Sequence, residues 1–188
     1  ADGIHSATVR HVARRAGVAA GSVRYVFPTQ DELLLAVVAE LEARSEAGVA
    51  RRRRDYPRPD QVVKRLVVSL PTGEKEKSIR RVERSLRFAI GQVPTLEGAV
   101  ASLREARARE CSDVLVTLAH GLDVSERGVA FEVRRTLALV EGLGEQLIDG
   151  GRAVNAIDAH AVLDAHLRSV NAHWKNHCSD RKRAGVRR

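Results

Sequence analysis

Aromatic residues are scarce in this chain: one Trp, two Tyr and three Phe among 188 residues. The other marks of a β protein are missing as well. There is no extended alternation of β-branched residues and no Asn-Gly or Asp-Gly hairpin turn joining such runs, so hairpins have no local start signal. The only cysteines, Cys111 and Cys178, are too far apart in the sequence to form a disulfide framework and suit a reducing cytosol. No apolar run approaches the ~18 residues of a membrane span, and no signal-peptide pattern opens the chain. What is left is 44% apolar and long enough for one large core or two small ones. The expected fold class is all-α, in a cytoplasmic protein with no membrane contact.

A further absence is local. Residues 8–27 read TVRHVARRAGVAAGSVRYVF, with four arginines and no acidic residue. The net charge of +8 does not by itself indicate a nucleic-acid partner, because much of it lies elsewhere. Lys175 to Arg188 holds six basic residues against the single acid Asp180, and Arg51 to Arg54 form another basic run. Within residues 1–50, Arg10, Arg14, Arg15 and Arg24 are offset by Asp31, Glu32, Glu40, Glu42 and Glu46 in the next helix. Phosphate contacts need local charge, so the unbalanced cluster says more than the total.

The cluster has the pattern of two short helices. Val9, Val12, Ala13 and Ala16 recur at helical spacing and predict a first helix over residues 8–16 with one apolar stripe. Thr8 can cap it. Gly17 stops it where a left-handed conformation is needed, and Val18 is expected to tuck into the core. A second helix is expected over residues 20–27. Val23, Val26 and Phe27 face inward in this reading, while Ala20, Gly21, Ser22, Arg24 and Tyr25 form an outer surface. Small residues at its start allow close approach to a groove. Arg24 can bond a guanine edge or a phosphate, and Tyr25 a phosphate. Pro28 then breaks the helix, and Thr29-Gln30-Asp31-Glu32 forms a capping box for a third, reaching about Arg54. A plain helix pair could also carry solvated arginines, but here the turn, the caps and the small residues agree with one another. The layout is that of a helix-turn-helix.

The run T-V-R-x-V-A-x-x-A-G-V-x-x-G-x-x-x-Y-x-F-P-x-x-[DE]-E-L-L resembles the DNA-binding domain of TetR-type bacterial transcriptional regulators, over residues 4 to about 45. Leu139 to Leu147 and Ala156 to Val170 are similar to the last two helices of one branch of that family. The resemblance implies a DNA contact set of Thr8, Arg10, Ala20, Gly21, Ser22, Arg24, Tyr25 and Gln30. Gln30 stands where the family often has a phosphate-binding lysine, Arg24 replaces a common tyrosine, and Val26, in place of an aromatic or histidine, reads as core. The family also has a helix before the motif, and Ala1-Asp2-Gly3-Ile4 leaves no room for it. The expectation is that an N-terminal segment is missing.

Further along, helices are expected over residues 60–70, 75–90, 94–120, 125–149 and 156–177, separated by Asp55-Tyr56-Pro57-Arg58-Pro59 and other breaks. Arg51 to Arg54 read as a solvated helix end. The domain reading is a DNA-binding domain with its connecting helix (1–54), a ligand-binding and dimerisation domain (55–178), and a disordered basic tail (179–188). The TetR-like arrangement implies a small-molecule pocket, for which Leu86, Phe88, Ile90, Leu96, Val100, Leu103, Val114, Leu115 and Leu118 are candidates. Ordinary core is the alternative for each. The charged segment Arg80 to Arg87 and the scarcity of aromatics argue against a pocket for flat aromatic ligands.

Leu137, Val140, Gly144, Leu147 and Ile148, with Leu163, His166, Val170 and His173, read as an intermolecular seam of helices. Gly142 and Gly144 would allow close approach. Two-fold symmetry implies a palindromic operator on double-stranded DNA. His166, His173, His177 and Cys178 have partial metal spacing, but no further ligand completes the set, so no metal or cofactor is expected. No catalytic set or phosphate loop is present, so no enzyme activity is expected. The functional reading is a homodimeric, nucleoid-associated repressor released from its operator by a small molecule. The alternative is a helical ligand-binding or interaction protein without DNA binding.

Overall fold

Four side chains start helices by accepting a backbone N–H that the helix itself cannot satisfy. Thr8 Oγ1 takes His11 N at 3.3 Å, Thr29 Oγ1 takes Glu32 N at 3.2 Å, Ser125 Oγ takes Gly128 N at 3.1 Å, and Asn155 Oδ1 takes Asp158 N at 2.9 Å. Glu32 Oε2 accepts the return bond from Thr29 N at 3.0 Å, completing the capping box. Each such cap contributes about 1 kcal/mol.

The computed structural model describes residues 8–149 and 154–185. Those residues form eight α-helices and no strand: α1 (Val9–Ala16), α2 (Ala20–Val26), α3 (Gln30–Asp55), α4 (Val62–Val67) preceded by a 3₁₀ turn (Pro59–Gln61), α5 (Glu74–Ala89), α6 (Leu96–Ala119), α7 (Glu126–Ile148) and α8 (Ala156–Gly185). The all-α class and the N-terminal helix-turn-helix read from the sequence are therefore present. The last helix differs from expectation. It was expected to end near His177, with 179–188 unstructured, yet α8 continues to Gly185. Lys and Arg are good helix formers, and no proline interrupts the run.

The chain divides into two compact units, interleaved in sequence: residues 1–47 with 78–106, and residues 48–77 with 107–188. This division falls inside α3 and does not coincide with the boundary expected at residue 54. The first unit has a core of Leu34, Val38 and Leu41 from α3, Leu86 and Ala89 from α5, and Leu96, Val100 and Leu103 from α6. Burying each large aliphatic side chain contributes roughly 1.5–3 kcal/mol. Asp31 accepts from Thr95 Oγ1 at 3.1 Å, and Ser102 Oγ donates to Glu42. These two bonds fix α6 against α3. Arg80 is buried and lies 3.0 Å from Glu83, one turn along α5.

In the second unit, α7 packs on α8, and α8 also takes α4. Its core joins Val62, Leu66 and Leu70 to Cys111, Val114 and Leu115 of α6, to Val140, Leu143 and Leu147 of α7, and to Ala159, Leu163, Leu167, Val170 and Trp174 of α8. Burial pushes the Cys111 thiol up to about 12, so it stays protonated and unreactive. The arginine run ending α3 is not simply a solvated helix end. Arg52 is largely buried 2.6 Å from Glu110, and Arg53 pairs with Asp113. Arg107 meets Glu141 at 2.7 Å. The acids that pair with Arg52 and Arg53 are 58 and 60 residues away in sequence, beyond the reach of any local signal.

Candidate nucleic-acid interface

α1 and α2 pack on each other around Gly17, whose φ of 68° and ψ of 27° are left-handed. A side chain at this position would strain the backbone. Gly17 N–H bonds back to Ala13 O and Arg14 O, and Val18 N bonds Ala13 O at 3.0 Å. The turn is thereby closed on both sides, and the angle between α1 and α2 is set by backbone bonds. Ala13 and Val23 are buried, as is Leu33 at the start of α3.

Two valines differ from expectation. Val18, expected in the core, is 48% exposed, and Val26, read as core, is 62% exposed. Val18 lies in the turn itself, before α2 begins, so no helix face carries it inward. Val26 is rotated about 60° from the buried Val23, whereas Phe27 is only about 40° away on the other side. Phe27 is half-buried and takes the inward direction. Ala16, expected on the buried stripe, is exposed, and Val9 and Val12 are half-buried. The expectation about a missing helix falls on residues 1–7, outside the described residues.

The proposed contact residues form an accessible set. Thr8, Arg10, Gly21, Ser22, Arg24 and Gln30 are exposed, Tyr25 is 89% exposed, and Ala20 is half-buried. Thr8 holds the first turn of α1, and Gln30 opens α3. One pairing was not foreseen: Arg14 donates to His11 Nδ1 at 3.0 Å. The i,i+3 spacing of the two residues was the available signal. The bond holds the Arg14 side chain along α1.

Residues 1–37 match the sequence model of the bacterial regulatory proteins of the tetR family. The match covers the helix-turn-helix and the start of α3, and not the rest of the chain. Over that stretch the chain is similar to those regulatory proteins. Solved structures agree in fold along most of the chain. A transcriptional regulator from Rhodococcus sp. Rha1 has a TM-score of 0.73 at 22% identity, over 88% of this chain and 86% of its own. A regulator assigned to the TetR family, from Rhodococcus sp., gives 0.70 at 21%, over 89% and 88%. A transcriptional regulator from Saccharomonospora viridis in complex with choline gives 0.70 at 19%, over 88% and 86%. At these identities the likeness carries the fold alone. No curated protein matches the chain.

The remaining expected site residues fall as follows. Among the pocket candidates, Leu86, Leu96, Val100 and Leu103 are in the first unit's core with Ile90 beside them, whereas Val114 and Leu115 are in the second unit's core with Leu118 beside them. Phe88 is 80% exposed and belongs to neither core. The nine candidates therefore divide between the two units, with Phe88 in neither core. Among the seam residues, Val140, Gly144, Leu147, Ile148, Leu163 and Val170 are buried within the chain's own second unit, which leaves them almost no surface for another subunit. Leu137 is half-buried against the same core. The stripe they form is the one by which α7 and α8 pack on each other and on α4 and α6.

His166 is half-buried and His173 exposed. His173 makes an edge-on contact with His177, with ring centroids 4.4 Å apart. No trio of His, Cys, Asp or Glu suited to a metal ion occurs among the described residues. Nor is any helix there long and apolar enough to cross a membrane.

Proposed function

We propose that the chain is a homodimeric repressor that leaves a palindromic operator when a small molecule binds. The observation that carries the reading is the outer surface of the helix-turn-helix. Arg10, Ser22, Arg24 and Tyr25 are all exposed around a turn whose geometry is closed by backbone bonds. In this reading Ala20, Gly21 and Ser22 approach base edges and Arg24 meets guanine or phosphate. Thr8, Tyr25 and Gln30 hold the backbone, and Arg10 adds a charged contact.

The dimer reading shifts to the outer faces of α7 and α8. There Phe131, Ile157 and Val162 are exposed apolar residues, Ala138, Ala161 and Ala165 are small and exposed, and a Cβ at Gly142 would meet open space. His173 lies on the exposed side of α8 and stays in the proposed seam. The solved relative with choline bound supports a small-molecule effector of some kind. An effector that prefers one spacing of the two reading heads would shift the population away from DNA. Such a protein would act in the cytoplasm, at the nucleoid.

The test is a gel shift of the full chain on the DNA upstream of its own coding region. Retardation that competitor DNA of unrelated sequence does not remove is the expected result. No retardation at low salt overturns the reading.

A further inference from the structure

The second unit contains a cleft of about 470 Å³ that the family match does not assign. Its walls come from the start of α4 (Pro59, Asp60, Val63, Lys64), the end of α6 (Thr117, Leu118, His120) and the outer side of α8 (Asp164, Arg168, Asn171, Lys175). Val63 and Leu118 form an apolar floor, being packed on the unit's core beneath. The rim is polar, and its acids are already engaged. Asp60 is held by both ends of a guanidinium, Arg58 Nε at 3.0 Å and Arg58 NH2 at 2.6 Å. Arg58 keeps that carboxyl below the usual carboxylate range, and therefore ionised. Arg58 is not part of the cleft wall, so its charge offsets Asp60 from outside. Asp164 accepts from Arg168 through Nε alone, at 2.6 Å. That bond does not use the two terminal nitrogens of Arg168. Lys64 is exposed on the same rim.

A guest therefore meets Asp60, paired with Arg58 from outside the cleft, the Asp164–Arg168 ion pair with its terminal guanidinium nitrogens not used in that bond, the ammonium groups of Lys64 and Lys175, the His120 imidazole and the amide of Asn171, above a short apolar floor. No Trp, Tyr or Phe ring lines the cleft. A quaternary ammonium such as choline is held chiefly by aromatic faces, and none is present. We infer that the cleft takes a small organic anion, a monocarboxylate on a short apolar body. Its carboxylate is met by Lys64 and Arg168, and its body lies on Val63 and Leu118. The volume falls within the range of small-ligand sites, and charge-assisted hydrogen bonds from a guanidinium and an ammonium are the strong kind. This inference names the effector class of the ligand-responsive reading and rests on it.

The chain has a single tryptophan. Trp174 is buried in the core onto which Val63 and Leu118 pack, and it precedes Lys175 of the cleft wall. The test titrates the full chain with octanoate below its micellar concentration, and separately with octyltrimethylammonium and inorganic phosphate. Trp174 emission and calorimetry provide the readout. The expected result is saturable binding of octanoate, with the other two at least about tenfold weaker. Lys64→Gln combined with Arg168→Gln, both at exposed positions, should weaken octanoate about tenfold or more with unchanged helix content. No saturable octanoate binding, equal binding of the cation or of phosphate, or an unaffected double variant each overturns the inference. DNA retardation is read separately. Octanoate that binds without releasing DNA supports the cleft and counts against ligand release. Failure to bind DNA leaves the emission test intact.

Discussion

Thr136 Oγ1 and His166 Nε2 lie 2.9 Å apart where α7 packs on α8, and Thr136 is wholly buried. Burial lowers the His166 imidazole below its ordinary 6.5, Glu132 opposes that shift, and Arg135 adds to it. The folded protein thus holds His166 neutral, whereas the unfolded chain takes up a proton near 6.5. Stability linked to this group is full above pH 6.5 and declines as pH falls from 6.5 through the lower folded value. Urea midpoints measured from pH 8 to pH 5 should fall on the acid side. His166→Asn should flatten that part of the profile, and an unchanged slope would remove His166 as its source.

Gly17 has a left-handed conformation that other residues adopt at a cost of roughly 1–2 kcal/mol. A Cβ there meets nothing within 4 Å, so the cost of Gly17→Ala is backbone strain alone, with no clash. Thermal unfolding should show a loss of about 1 kcal/mol. DNA affinity should fall as well, because the same turn sets the angle between α1 and α2.

Val162 and Leu163 are neighbours with opposite roles. Val162 is 44% exposed and Leu163 is fully buried. Leu163→Ala should cost about 2–5 kcal/mol in denaturant unfolding, since it opens a cavity in the chain's own core. Val162→Glu should leave helix content intact and shift sedimentation towards monomer. If Val162→Glu stays dimeric, the proposed outer seam is wrong.

Arg24 is exposed, and no acidic residue lies within residues 8–27 around it. If it reads a guanine, Arg24→Ala should cost about 1–3 kcal/mol of binding and relax sequence preference at one position. If it only touches phosphate, affinity should fall evenly across sequences. The slope of log affinity against log salt should then lessen by about one. Affinities measured at several salt concentrations on matched and mismatched DNA separate the two roles.

The helix-turn-helix is legible in the sequence because its signals are short-range. The caps at Thr8 and Thr29 span three residues, Gly17 marks its own conformation, and Pro28 breaks the chain where it stands. Each acts within one turn of helix, so one-dimensional order suffices. Val18 and Val26 were misplaced because the choice between core and solvent at the end of a short helix depends on which neighbour fills the inward direction. The Arg52–Glu110 and Arg53–Asp113 pairs were hidden for a similar reason: nothing near the arginine run names acids on a distant helix.

Short-range order in the chain sets the helices, their starts, the turn and the arginine-rich surface of the helix-turn-helix, since all rest on bonds between residues one to four positions apart. Packing between helices distant in sequence settles which core Leu86 and Val114 each enter, that Leu163 and Val170 face inward, and that Phe88 faces out. Apolar residues occur on several sides of these long helices, so periodicity alone selects no face. The choice is made by whichever helix packs there and removes that face from water.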